Sequence, residues 1–98
     1  MTSKIFHCSR HRAWRHAQEV LRDMKLRNPV IDPKNNRIVV SDGWGFFRPP
    51  RELEILMYSD EDKVEVSVNV ETSVKMLDFG SSEYLEEELL HRLREKLD

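Results

Sequence analysis

Cysteine occurs once, at Cys8, so no disulfide can form within the chain, and a reducing, cytoplasmic setting is the simplest expectation. Long apolar runs are missing as well. None approaches the ~20 residues that a membrane-spanning helix requires. The opening MTSKIFHCSRHR lacks the apolar core of a secretory signal, so export is not indicated. Internal repeats and low-complexity segments are also absent from the 98 residues. What remains is a chain of one domain's length, 35% charged and 39% hydrophobic, a balance that suits a folded globular protein rather than a disordered one.

The formal net charge of −2 conceals an uneven distribution. Residues 1–27 carry seven Lys or Arg against two Asp or Glu, while residues 59–98 carry five against twelve. A basic front suggests nucleic acid, but the acidic half would repel a phosphate backbone. A basic first helix lying beside an acidic closing helix accounts for the same pattern.

The clearest local signal runs from Val64 to Leu97. Val64, Val66, Val68 and Val70 alternate with Glu65, Ser67, Asn69 and Glu71, which makes a strand with one apolar and one wet face. Strands of parallel sheets, buried on both sides, read as continuous apolar runs, so the alternation implies an antiparallel sheet. The strand is expected to continue through Val74 and Met76, with a bulge near Thr72-Ser73, and to end at Asp78-Phe79-Gly80. A helix follows, with Ser81 or Ser82 as cap, glutamates at its start and His91, Arg92, Arg94 and Lys96 at its end, as the macrodipole favours. Leu85, Leu89, Leu93 and Leu97, joined by Leu90 and Tyr84, form its apolar stripe.

Upstream, Ser9 is a plausible cap for a helix from about Arg10 to Arg27, with Ala13, Trp14, Ala17, Val20, Leu21 and Met24 on one face and Pro29 as the stop. Arg10, His11 and Arg12 give its first turn the wrong charge for the dipole. Ile5 and Phe6 belong to a short edge strand or to packing against this helix. Val30-Ile31 and Arg37 to Ser41 flank Asp32-Pro33-Lys34-Asn35-Asn36, whose proline and asparagines supply a hairpin turn. Glu52 to Tyr58 is the next strand, with Leu53, Ile55 and Met57 on one face, and Tyr58 to Lys63 turns it back. The fold class is therefore a single α+β domain spanning residues 1–98. An antiparallel sheet of four or five strands carries both helices on one face, in the order (β)αββββα, and leaves the other face open.

Chemical constellations are sparse. His7, Cys8, His11 and His16 fall within ten residues, but a structural zinc site calls for a second pair of ligands, and the one remaining histidine is His91. Asp78-Phe79-Gly80 matches the kinase magnesium triplet in letters alone, and Gly43-x-Gly45 lacks the third glycine of a dinucleotide fingerprint. Asp32, Asp42, Asp78 and Glu52 lie at strand ends or turns, where carboxylates are ordinarily solvated. No nucleophile–base set is recognisable. No catalytic residue, cofactor or metal is expected.

The segment Gly43-Trp44-Gly45-Phe46-Phe47-Arg48-Pro49-Pro50 is compositionally odd, with three aromatics among glycines and prolines. Aromatics beside Arg48 and Arg51 could stack bases. The αβββα order resembles the double-stranded-RNA-binding domain, whose second helix begins with lysines; this one begins with Glu83 to Glu88.

The span from about Trp14 to Leu97 resembles a family of small uncharacterised α+β domains found mostly in bacteria. The shared features are the aromatic segment GWGFF, the strand ELEILMY, then VEVSVNVETSVKMLDFGSS and a terminal amphipathic helix. Family members carry an Asp-x-Gly turn, kept here as Asp78-x-Gly80, and acidic residues after the aromatic segment, where this chain has Arg48-Pro49-Pro50. The resemblance implies the fold and carries no reaction or ligand.

Placing Leu53, Ile55 and Met57 inward forces Glu54, Leu56 and Tyr58 outward, with Val39 as a neighbour. Trp44, Phe46, Phe47, Arg48, Leu56 and Tyr58 are thus the candidate contact residues. The expected role is a non-enzymatic interaction module that binds a protein partner, most simply a second copy in a homodimer, or an apolar ligand. The alternatives are a small enzyme using strand-end carboxylates and a nucleic-acid-binding domain. A buried carboxylate in a cleft would favour the enzyme, and an apolar outer face the module.

Overall fold

The computed structural model describes residues 1–26, 28–42, 51–72 and 81–97. The elements run β1 (Thr2–Phe6), α1 (Arg10–Asp23), β2 (Val30–Asp32), a 3₁₀ turn (Pro33–Asn35), β3 (Arg37–Asp42), β4 (Arg51–Asp60), β5 (Lys63–Thr72) and α2 (Ser81–Leu97). The five strands form one sheet in the order β1-β5-β4-β3-β2, with every neighbouring pair antiparallel. This is the α+β architecture expected from the alternation. Ile5 and Phe6 belong to an edge strand, and the strand count is five.

Both helices lie on one side of the sheet. α1 packs on β4 and β5, α2 packs on β5 and β1, and the two helices touch each other. The core between them is made by the inward residues of the hairpin β4–β5. Leu53, Ile55, Met57, Val64, Val66 and Val68 are wholly buried, as are Ala13, Ala17 and Val20 of α1 and Leu89, Leu90 and Leu93 of α2. The two alanines let α1 come close to the sheet. Burial of each larger aliphatic side chain contributes roughly 1.5–3 kcal/mol against the entropy of ordering the chain.

Turn chemistry fixes the strand pairings. Asp60 pairs with Lys63, and Glu61 between them takes φ 54°, the positive value that the first central residue of a two-residue hairpin turn demands. Asn36 closes the 3₁₀ turn at φ 53°, a conformation asparagine tolerates better than most residues. Its carbonyl accepts the N–H of Met57 at 3.0 Å, which registers that turn on β4.

α1 begins as its sequence signals, with the Ser9 Oγ accepting the N–H of Arg12 at 3.2 Å. It ends earlier than proline spacing suggested, at Asp23 rather than near Arg27. Lys25 adopts φ 61°, its N–H donates to Arg22 at 3.0 Å, and the N–H of Leu26 donates back to Leu21 at 2.9 Å. This is a Schellman ending, and the buried Leu26 supplies the apolar contact that accompanies it. Pro29 therefore lies beyond a helix already stopped. The basic first turn also finds its counterpart, because the Arg12 guanidinium donates to the Leu97 carbonyl at 3.2 Å, at the negative end of α2.

In α2 the buried stripe is Glu86, Leu89, Leu90, Leu93 and Leu97, while Tyr84, assigned to it from sequence, is 69% exposed. The Ser81 and Ser82 caps, the extension through Val74 and Met76, and Asp78 to Gly80 lie outside the described side chains or residues.

Two stability measurements follow from this packing. Leu89→Ala and Leu93→Ala should each lower the free energy of unfolding in urea by about 2–5 kcal/mol, and a loss below ~1 kcal/mol at both would contradict the helix-on-sheet core. Lys25→Gly should instead raise stability, by up to about 1–2 kcal/mol, since glycine enters the left-handed region without the steric cost of a Cβ. A destabilised Lys25→Gly chain would show that α1 does not end there.

Candidate functional site: the open sheet face

With both helices on one side, the outward residues of the sheet have no covering layer among the described residues. Registers place Ile5, Glu65 and Tyr58 in one row across β1, β5 and β4. Ser3, Ser67, Leu56 and Arg37 form the next, and Asn69, Glu54, Val39 and Val30 the one after. The apolar members make an oblique band, with Ile5 52%, Tyr58 58% and Val30 68% exposed, and with Leu56 and Val39 half-buried between them. Alternation in β4 accounts for the two central residues, because inward Ile55 and Met57 leave Leu56 and Tyr58 no other side.

The band is not uniformly apolar. The guanidinium of Arg37 pairs with the carboxylate of Glu54 inside it, and Glu65 stands between Ile5 and Tyr58. Glu52 and Glu71 are exposed beyond the ion pair, so the face as a whole is acidic. At its centre Ser67 is buried, 5% exposed, beneath its larger neighbours, and its hydroxyl lies 2.8 Å from that of Ser3.

Of the residues singled out from sequence, Leu56 and Tyr58 fall two apart on this face. Trp44, Phe46, Phe47 and Arg48 lie outside the described residues. The strand positions that flank their segment, Asp42 and Arg51, pair with each other. They stand at the far end of β4 from Tyr58, ~23 Å away at the usual strand rise.

The N-terminal histidine and cysteine cluster does not converge. His7 and His11 are exposed and Cys8 is half-buried; among the described residues no three His, Cys, Asp or Glu side chains gather as a metal site would need. Burial pushes the Cys8 thiol above its ordinary pKa, with Arg12 opposing in part, so it is a poor nucleophile near neutrality. Asp32 accepts from the side-chain amide of Asn35 at 2.7 Å as part of its turn, and Glu52 faces solvent.

A hollow of about 480 Å³ between the helices is lined by Asp23, Glu88, His91, Arg92, Glu95 and Lys96. Its polar side chains are paired with one another: Arg92 with Glu88 at 2.9 Å, His91 with Glu95 at 2.8 Å and Lys96 with Asp23 at 3.0 Å. The hydrogen bond to Asp23 raises the Lys96 pKa, and the hydrogen bond with His16 lowers that of nearby Glu19. Exposed pairs of this kind contribute little to stability.

Sequence reasoning missed one carboxylate. Glu86 is buried, 3% exposed, and accepts both the Val70 N–H and the Thr2 hydroxyl at 2.8 Å. Thr2–Val68 is the last pair of the β1–β5 ladder. Val70 therefore turns its N–H toward a position that β1 does not occupy, and Glu86 supplies the acceptor. The signal was present in the spacing: Glu86 precedes Leu89 by three and Leu90 by four, which puts it on the buried face. No described hollow includes it, and its oxygens are occupied by structural donors.

No family model and no curated protein matches the chain.

Replacing Glu86 by alanine should cost about 1–3 kcal/mol in urea unfolding, the usual penalty for a buried donor left without a partner. Glu86→Gln, which keeps an amide oxygen for Val70, should lose less than half as much. Equal losses for the two variants would contradict the hydrogen-bonding role.

Proposed function

We propose that the chain is a non-enzymatic interaction module that associates with a second copy of itself through the outer face of its sheet. The observation that carries this reading is the apolar band across that face, which no described residue covers and which has Leu56 and Tyr58 at its centre. Such a band exceeds the scattered apolar residues of an ordinary surface and is the usual mark of a contact site. The face is also large enough. Five strands at the normal spacing and a hairpin of ten-residue strands outline roughly 500–800 Å², approaching the ~800 Å² per partner of a standard stable interface.

A two-fold contact centred on Leu56 and Tyr58 turns the acidic ends, Glu52 and Glu71, away from the dyad. The same acidity argues against nucleic acid as the occupant. The buried carboxylate that would favour an enzyme, Glu86, sits in no described cleft and holds β5 to β1. Cytoplasmic residence, expected from the single cysteine, belongs to this proposal. No helix among the described residues is long and apolar enough to cross a membrane.

Molar mass measured by light scattering across a concentration series tests the reading. The double variant Leu56→Lys, Tyr58→Lys should keep the circular dichroism and melting temperature of the parent and halve its mass at high concentration. A parent that stays monomeric, or a double variant with unchanged mass, would overturn the proposal. Binding of an apolar probe such as a fatty acid by a parent that never self-associates would assign the face to a small ligand and also overturn it.

A further inference from the structure

Among the described residues the sheet has a free edge at β1 beside the face just described, and the observations there point to a separate contact. We propose that β1 pairs edge to edge with β1 of another copy about a two-fold axis perpendicular to the sheet, joining two five-stranded sheets into one of ten strands. This contact does not depend on the outer face. Where both operate, the edge axis stands perpendicular to the sheet and the outer-face axis parallel to it, so the two contacts use different surfaces.

The backbone supplies the first argument. Val70 turns its N–H toward the β1 side, where Glu86 takes it, so Val68, Val66 and Val64 do the same in alternation. Their partners Thr2, Lys4 and Phe6 face β5, which turns the N–H and C=O groups of Ser3 and Ile5 outward. Nothing among the described residues pairs with these groups, and β1 is the terminal strand of the sheet. β1 is short and carries Lys4, features that blunt an edge, so only a strand whose charges suit it will pair there.

Charge and spacing select a second copy as that strand. α2 packs on both β5 and β1 and runs in the same direction as β1. Glu86 lies at Thr2, while Arg94 and Leu97 line a hollow with Ile5, Phe6, His7 and Cys8 at the other end. A helix astride the last two strands sits about 5 Å inside the dyad, so two such helices would be ~10 Å apart, close to the normal packing distance. The two-fold axis reverses one of them, which brings the exposed Glu83 and Glu87 of each copy against the exposed Arg94 of the other. With Lys4, also exposed on this rim, the four charges sum to zero, so identical edges meet without net repulsion.

Sedimentation equilibrium tests the edge contact in a chain that already carries Leu56→Lys and Tyr58→Lys, which takes the outer face out of play. That chain should be a dimer. Adding Glu87→Lys should weaken the dimer at least about tenfold, by setting like charges against each other. Adding Arg94→Glu to that variant should restore the affinity to within about threefold of the starting dimer. Ser3→Pro removes an outward N–H and leaves the backbone bonds of the β1–β5 ladder in place, losing only the Ser3–Ser67 hydroxyl contact, and should leave a folded monomer. A monomer before any edge change overturns the proposal, as does a dimer indifferent to Glu87→Lys or a reversed pair that is not restored. Failure of the outer-face reading looks different: there Leu56→Lys with Tyr58→Lys leaves the parent's mass unchanged.

Discussion

The constraint on which the rest of the structure depends is the one-sided burial of β5. Its four valines must leave water on one face, while Glu65, Asn69 and Glu71 must stay in it on the other. Burying the valines contributes several kcal/mol in total, and sinking the carboxylates without partners would cost more than that. Helices can therefore be added on one side only, and β5 is the strand that meets both of them. β4 and β1, hydrogen-bonded to either side of it, inherit the same inside and outside through the register.

The elements legible in the sequence are those where one periodicity acts alone. The alternation of β4 and β5, the leucine spacing of α2, the Ser9 cap and the proline–asparagine turn each point to one local structure. What was not legible depends on pairing across the chain. α1 stops at Asp23 because Lys25 just beyond it accepts a left-handed backbone when Leu21 and Leu26 close the ending over it, whereas the composition pointed to Pro29. Glu86 looks like one more dipole-compensating glutamate until the β1–β5 ladder is seen to run out beneath it. Tyr84 is apolar in character yet lies one residue round the helix from the face that packs.

The same reasoning bears on the candidate site. Leu56 and Tyr58 could be placed outward from alternation, because inward Ile55 and Met57 fix them. Neighbours across strands could not, since they depend on registers that no local pattern specifies. The pairing of Arg37 with Glu54, the position of Glu65 beside Tyr58 and the sinking of Ser67 under Ser3 all narrow the apolar surface to an oblique band. Elsewhere the surface charges are used internally. Arg12 completes the end of α2, and the acidic and basic groups between the helices pair with each other.

We propose that one face of this sheet is roofed by helices and that the other, uncovered by any described residue, is covered by a second molecule. Relaxation of methyl resonances by a soluble paramagnetic probe reads this directly. In dilute solution the methyls of Leu56, Ile5 and Val39 should relax strongly and those of Ile55, Val66 and Leu93 barely at all. At high concentration Leu56 should become protected while the inner methyls do not change. Protection of Leu56 already at the lowest concentration would show that the chain covers its own outer face, and would contradict the account.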